Sequence, residues 1–105
     1  WELLGERKVA FRGDHDTVRV GRSEGRFRAL RMTVEGSPMK VSRVLVTFGN
    51  GKTRELQVRH SFGEGSWTRR IDLPGKRRRI RRVDFWYRSV GRASGRATMR
   101  LFGQH

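Results

Sequence analysis

The sequence predicts an all-β protein, an antiparallel, jelly-roll-like β-sandwich of about eight short strands with little or no helix. Apolar residues alternate with polar ones in short runs, the period of strands with one packed and one solvated face. Glycines separate the runs, and no stretch has the 3.6-residue period of a capped amphipathic helix. A chain of 105 residues has the size of one domain. We therefore take residues 1–105 as a single β-sandwich and rank a barrel second.

The alternating runs follow one another along most of the chain. Their apolar positions are, in order, Val18 and Val20; Leu30, Met32 and Val34; Val44, Val46 and Phe48; Leu56 and Val58; Trp67, Ile71 and Leu73; Val83, Phe85 and Tyr87; and Ala97, Met99 and Leu101. The alternation slips by one residue in two places, at Ser42-Arg43 and at Arg81-Arg82. Such a slip predicts a β-bulge at each place.

The turns are predicted from their residue types. Asn50-Gly51 lies between two alternating runs, which predicts a hairpin closed by a tight primed turn with positive φ angles. Pro38 and Pro74 also stand in turn contexts. No apolar run approaches the roughly 20 residues that a membrane-spanning helix needs, so no transmembrane segment is expected.

The composition is strongly basic. The chain has 25 Lys and Arg against 10 Asp and Glu, a formal net charge of +15, and all but Lys8, Lys40, Lys52 and Lys76 of these cations are arginines. One interpretation is functional, because the planar guanidinium binds phosphate and carboxylate with two hydrogen bonds. The other is the codon bias of a GC-rich genome, which explains Arg in place of Lys but not the excess of charge. The chain has no cysteine, which excludes disulfides and thiolate metal sites.

The basic segment 76–82 is the strongest candidate site, since it has six cations in seven positions beside the aromatic run 85–87. The predicted binding residues are Arg77, Arg78, Arg79, Arg81, Arg82 and Arg88, with Trp86 as a stacking platform. The predicted partners are polyanions, namely acidic polysaccharide or lipid headgroups, with nucleic acid as the alternative because bases stack on exposed aromatics. A structural interpretation also stands, in which the charges keep a strand from pairing at its edge.

Metal and catalytic sites are not predicted. Asp14 and Asp16 could contribute two carboxylates to a Ca²⁺ site, but such a site needs six or more oxygen ligands, so a polar turn is the preferred interpretation. No nucleophile motif, phosphate-binding glycine loop or cofactor fingerprint occurs. We therefore expect no enzyme activity and no cofactor, and a carbohydrate-active enzyme with two distant carboxylates is the least favoured class.

Several short segments resemble one family along nearly the whole chain. They are WELLG at residues 1–5, DHDTV at 14–18, GRFR at 25–28, FGNG at 48–51, TRRIDL at 68–73 and YRS at 87–89. The sequence resembles a family of small exported proteins of Gram-negative bacteria that is known as a domain of unknown function. The resemblance implies a mature periplasmic or secreted β-sandwich and no particular ligand. The first residue is Trp1 rather than Met, which a removed export signal would explain, as would a trimmed terminus.

Overall fold

The computed structural model describes residues 1–10, 14–21, 25–36, 39–56, 60–62, 66–67, 70–75, 77–89 and 96–105. These residues form ten β-strands: β1 (Glu2–Ala10), β2 (Asp14–Arg19), β3 (Ala29–Glu35), β4 (Met39–Phe48), β5 (Thr53–Leu56), β6 (His60–Phe62), β7 (Ser66–Trp67), β8 (Ile71–Asp72), β9 (Ile80–Ser89) and β10 (Arg96–Gln104). The described part of the chain contains no helix, and therefore none that could cross a membrane. The all-β prediction is confirmed.

The strands form two antiparallel sheets. In one sheet the order is β1-β10-β3, with β7 and β8 both paired to the far edge of β3; in the other it is β2-β9-β4, with β5 and β6 both paired to the far edge of β4. Counting β5 with β6 and β7 with β8 gives four positions in each sheet, which explains why about eight strands were expected. The order is that of a jelly roll, as predicted.

The pairing places three connections at one end of the sandwich. Strands equally distant from the β4–β5 turn pair with one another, β3 with β7 and β8, β2 with β9, and β1 with β10, as in one long hairpin rolled into two sheets. Because neighbouring strands are antiparallel, the β2–β3, β4–β5 and β8–β9 connections all leave the sheets at the same end. Segments that are distant in sequence meet there.

The core lies between the two sheets and consists of the alternating apolar positions. Val44, Val46 and Phe48 of β4 are buried, as are Val83 and Phe85 of β9. Phe27, Phe48 and Phe85 are the largest fully buried side chains, and each buried phenyl group contributes about 1.5–3 kcal/mol to stability. The predicted apolar positions are buried wherever their side chains are described, except Ile71, which is half-buried against the core. Val58 and the side chain of Trp67 lie outside the described residues.

Both predicted bulges are present. The β4–β9 register passes from Val41 to Arg43 without a partner for Ser42, and from Thr47 to Phe48 without a partner for Arg81. A bulge turns the following side chains to the other face of the sheet. The second bulge therefore separates Arg81 from Arg82, and this separation shapes the candidate site.

The hairpin at Asn50-Gly51 is confirmed, but its predicted turn type is wrong. Gly51 has a φ angle of 85°, whereas no non-glycine residue of the described chain has a positive φ, so Asn50 cannot belong to a type I′ turn. The Gly51 amide donates to the Phe48 carbonyl at 2.9 Å, and the Phe48 amide donates to the Lys52 carbonyl at 2.8 Å. This is a longer loop that ends in a left-handed glycine, a common hairpin alternative.

Candidate anion-binding site

A pocket of about 530 Å³ lies at the end of the sandwich where the three connections meet. The β2–β3 connection contributes residues on both sides of segment 22–24, which itself lies outside the described residues. The β4–β5 hairpin contributes its first turn, and the segment 77–81 that leads into β9 forms the remaining wall. Five lining residues are arginines, Arg26, Arg77, Arg78, Arg79 and Arg81, and we call this site the arginine pocket.

Backbone hydrogen bonds fix the wall formed by segment 77–81. The bonds run from Arg78 N to Phe27 O at 2.8 Å, from Phe27 N to Arg78 O at 2.8 Å, from Gly49 N to Arg79 O at 2.9 Å, and from Val20 N to Arg81 O at 2.9 Å. Segment 77–81 is thus hydrogen-bonded to the β2–β3 connection and to the β4–β5 connection. A Cβ atom on Gly49 would lie 3.1 Å from the Cβ of Arg79, so glycine permits this close approach.

The floor of the pocket is apolar. Val20, Phe48 and Ile80 line it and are buried. The guanidinium carbon of half-buried Arg78 lies 3.7 Å from the centre of the Phe48 ring, a cation–π contact at van der Waals distance. A guanidinium stacked on a ring keeps its N–H donors at its edges, where they remain available to a ligand.

The pocket arginines have no ion-pair partner among the described carboxylates. The arginines that do form such pairs are Arg7, Arg43, Arg70, Arg82 and Arg100, all outside the pocket. No described residue of the pocket lining is acidic. Among the described residues, positive charge is therefore concentrated in the pocket without a compensating carboxylate. It lies over a floor whose low polarity strengthens electrostatic interactions.

The other predicted binding residues lie on a different surface. Arg82, Trp86 and Arg88 project from the outer face of the β9 sheet, since they alternate with buried Val83 and Phe85. These three residues are separated from the pocket arginines because the bulge at Arg81 changes the face to which the following side chains point. The sequence prediction thus joined two surfaces that the structure separates, four arginines in the pocket and three residues on the sheet face.

Trp86 already stacks against its neighbours. The His15 ring lies 4.5 Å from the Trp86 ring, with an interplanar angle of 23°, and the Arg43 guanidinium carbon lies 4.6 Å from the ring centre. His15 belongs to β2 and Arg43 to β4, the two strands that flank β9. A nucleic-acid base that stacks on Trp86 would compete with these groups for the ring.

Asp84 holds the same sheet face together. Its Oδ1 atom accepts hydrogen bonds from Thr17 Oγ1 at 2.5 Å and from His15 Nε2 at 2.8 Å, and its Oδ2 atom lies 3.5 Å from Arg82 Nε. Burial alone raises the pKa of this carboxyl group, but the Thr17 and His15 hydrogen bonds and the charges of His15 and Arg82 together lower the pKa of Asp84 below its ordinary value. The His15–Asp84 pair is not part of the pocket lining.

Of the two candidate metal ligands, Asp14 and Asp16, the structure describes the side chain of Asp16 only. Asp16 pairs with Arg7, whose Nε atom lies 3.7 Å from Asp16 Oδ1 and donates to the Thr17 carbonyl at 2.9 Å, so this carboxylate joins β1 to β2. The side chain of Asp14 lies outside the described residues. Within the described ranges no three His, Asp or Glu side chains group as metal ligands, and the expected absence of a metal site stays a prediction.

Comparison with known proteins supplies a family but no activity. The model of a domain of unknown function, DUF2541, matches residues 1–103. The chain belongs to the DUF2541 family. No curated protein and no solved structure matches it. The resemblance to a family of unknown function is thereby confirmed, while the bacterial and exported character that it implied stays a prediction.

Among the lining residues of this DUF2541 domain that sequence reasoning did not place in the site, Arg26 and Phe48 matter most. Arg26 lies in the β2–β3 connection, far in sequence from the basic segment 76–82, and Phe48 had been assigned only to the core. No local pattern marks either residue as part of a site. The signal that could have found them is the jelly-roll order, because it brings the second, fourth and eighth connections of the chain to one end.

Proposed function

We propose that this DUF2541 domain is a non-enzymatic binding module that holds anionic polymers, acidic polysaccharide or lipid headgroups, in the arginine pocket. The observation that carries the proposal is the concave cluster of five arginines for which the described chain provides no carboxylate partner. The described Arg–carboxylate pairs all lie outside the pocket lining. A bound anion would supply the missing compensation.

The free energy of binding comes from relief of repulsion and from charge-assisted hydrogen bonds. Five guanidinium groups around one pocket repel one another, and an anion between them converts this repulsion into attraction. Each guanidinium can offer two parallel N–H donors to a phosphate, sulfate or carboxylate group. Hydrogen bonds to charged groups contribute about 1.5–3 kcal/mol each.

The chemistry of the lining favours binding over catalysis. Its described side chains are guanidinium and apolar groups, apart from the Asn50 carboxamide. A guanidinium group stays protonated at any physiological pH and does not act as a general base. These groups orient and hold an anion, but they offer no proton acceptor and no nucleophile for a reaction.

The proposed compartment is the periplasm or the outside of the cell. The support for it is the resemblance of the sequence to small exported proteins. Acidic polysaccharide and lipid headgroups are anions that a protein can meet there. Fractionation of cells that express the full-length gene tests the compartment, and recovery of the protein with cytoplasmic markers would contradict it.

A salt-series titration tests the proposed function. Heparin, phosphatidylglycerol vesicles, single-stranded DNA and duplex DNA are each titrated into the protein between about 50 and 200 mM salt. We expect binding of heparin and vesicles that weakens as the salt concentration rises. Arg78→Gln should weaken heparin binding at least about tenfold, the equivalent of 1.4 kcal/mol.

Arg88→Gln is the matched comparison, since it removes the same charge from β9 on the outer sheet face, outside the pocket lining. Binding should change less than about twofold in this variant, because screening weakens a charge more than a Debye length away. Equal losses in both variants, or no binding of any polyanion at low salt, would overturn the proposal. A preference for single-stranded DNA that survives the highest salt and quenches tryptophan fluorescence would replace it with nucleic-acid binding.

A further inference from the structure

We infer that the arginine pocket receives a terminal phosphomonoester, the end group of a phosphorylated sugar or lipid, rather than the internal charges of a polymer chain. The inference rests on the proposed function and specifies its ligand. It follows from the shape of the pocket, from its charge and from the fixed position of Arg78.

The shape of the site fits an end group. The pocket occupies the end of the sandwich and is bounded by three chain connections. Its volume of about 530 Å³ lies within the 300–1,000 Å³ typical of small-molecule sites. A polymer bound through internal charges needs a groove that is open along its length. A pocket walled by three connections instead takes one terminal residue, with the rest of the chain outside.

The charge of the site favours a dianion. A phosphomonoester carries about −1.5 to −2 charges at neutral pH and has three strong acceptor oxygens. A sulfate ester, a carboxylate or a phosphodiester carries a single charge. The pocket has five guanidinium groups without described counterions, so the second charge of the monoester adds about as much attraction as the first. Its third oxygen can accept hydrogen bonds from an additional arginine.

Arg78 is the fixed cation of the pocket. Its side chain is half-buried against Phe48, with 3.7 Å between the guanidinium carbon and the ring centre. Its backbone amide and carbonyl groups are both bonded to Phe27 at 2.8 Å. A donor that is already held in place loses little conformational entropy when the ligand binds. The other four pocket arginines are exposed and line the same pocket.

Isothermal titration calorimetry with defined probes tests the inference. Glucose 1-phosphate is the monoester. The singly charged comparisons are its diester with a methyl group on the phosphate and glucose 6-sulfate. We expect the monoester to bind at least about tenfold more tightly than either comparison. Its affinity should rise as the pH increases through the second phosphate pKa near 6, because the dianion then predominates.

Phosphatidic acid vesicles present the monoester as a lipid headgroup, and phosphatidylglycerol vesicles, which present a phosphodiester, are their comparison. Preference for phosphatidic acid vesicles over soluble glucose 1-phosphate assigns the site to a lipid headgroup, and the reverse preference assigns it to a glycan end. Either result supports a monoester pocket. Failure of both monoester probes to bind would overturn it.

Two variants locate the site. Arg78→Lys keeps the charge but removes the planar pair of donors, so monoester affinity should fall at least tenfold. Arg81→Lys, at an exposed position, should also lower the monoester affinity while leaving thermal unfolding unchanged. Arg88→Lys should leave the affinity within twofold. If heparin binds in the pocket but neither glucose 1-phosphate nor phosphatidic acid vesicles compete with it, the inference fails and the proposed function stands. If neither heparin nor either monoester probe binds, both fail.

Discussion

Gly103 of β10 packs against Phe27, the residue whose backbone is hydrogen-bonded to Arg78 of the arginine pocket. Substitution of Gly103 tests how tightly this region is packed. A Cβ atom on Gly103 would lie 2.6 Å from Phe27 Cδ1 and 2.9 Å from Leu4 Cδ1. Carbon atoms in contact prefer about 3.5–4.0 Å, so Gly103→Ala has to move the Phe27 ring by about 1 Å. Phe27 is fully buried and its backbone groups hold Arg78, so the ring has little room to yield.

The expected cost of Gly103→Ala is about 2 kcal/mol, within the 1–3 kcal/mol range of overpacked cores. For a domain of this size, that loss lowers the melting temperature by about 8–16 °C. Urea unfolding followed by tryptophan fluorescence measures the same loss as a lower midpoint with an unchanged slope. Gly103 is central to the effect because β10 lies between β1 and β3 and cannot shift as an edge strand could.

The double variant Gly103→Ala/Phe27→Leu is the control for this mechanism. A smaller side chain at position 27 makes room for the new methyl group, so the double variant should lose less stability than the sum of the two single variants, by about 1 kcal/mol. Strict additivity would show that the Phe27 ring is not the obstacle. A Gly103→Ala protein with the stability of the wild type would refute the packing described for this wall.

Two further predictions concern carboxylates. Asp84→Asn should lower the free energy of unfolding at pH 7 by about 1–3 kcal/mol, since it weakens hydrogen bonds to a charged group. Folding lowers the pKa of Asp84, so this stabilisation is complete above the unfolded carboxyl pKa of about 4 and is lost as the pH falls through the lower folded value. Urea unfolding of both proteins over a series of acidic pH values measures it, and a difference in stability that does not decrease as the pH falls would contradict it. Thermal unfolding with Ca²⁺ or with chelator should give the same melting temperature, because binding to the native state alone would raise it. A Ca²⁺-dependent rise that Asp14→Ala or Asp16→Ala abolishes would establish the metal site.

The fold was predictable from the sequence because strand periodicity is a local signal. The alternation of Val83 and Phe85 with charged residues sets the two faces of β9, and each one-residue slip marks a bulge. The turn at Gly51 was predicted at the right place but with the wrong geometry. The Asn-Gly pair permits several hairpin loops, and the pairing of Phe48 with Lys52 selects one of them.

The site was only partly predictable, because consecutive residues of a strand diverge in space. Segment 77–82 is one basic run in the sequence, yet the bulge at Arg81 leaves Arg82 on the sheet face beside Asp84. Composition identified the charge but not its distribution between two surfaces. Arg26 reaches the pocket through the strand order, which no single segment specifies.

Nuclear magnetic resonance mapping of the bound anion tests the arginine pocket most directly. Two-dimensional ¹H–¹⁵N spectra recorded during a titration with glucose 1-phosphate report on backbone amides, arginine Nε–H groups and tryptophan indoles. We expect the largest shifts in residues 48–51 and 77–81, with the Trp86 indole and Arg88 signals unchanged. Shifts concentrated on Trp86 and Arg88, with the signals of segment 77–81 unaffected, would contradict the pocket and assign anion binding to the outer face of the sheet.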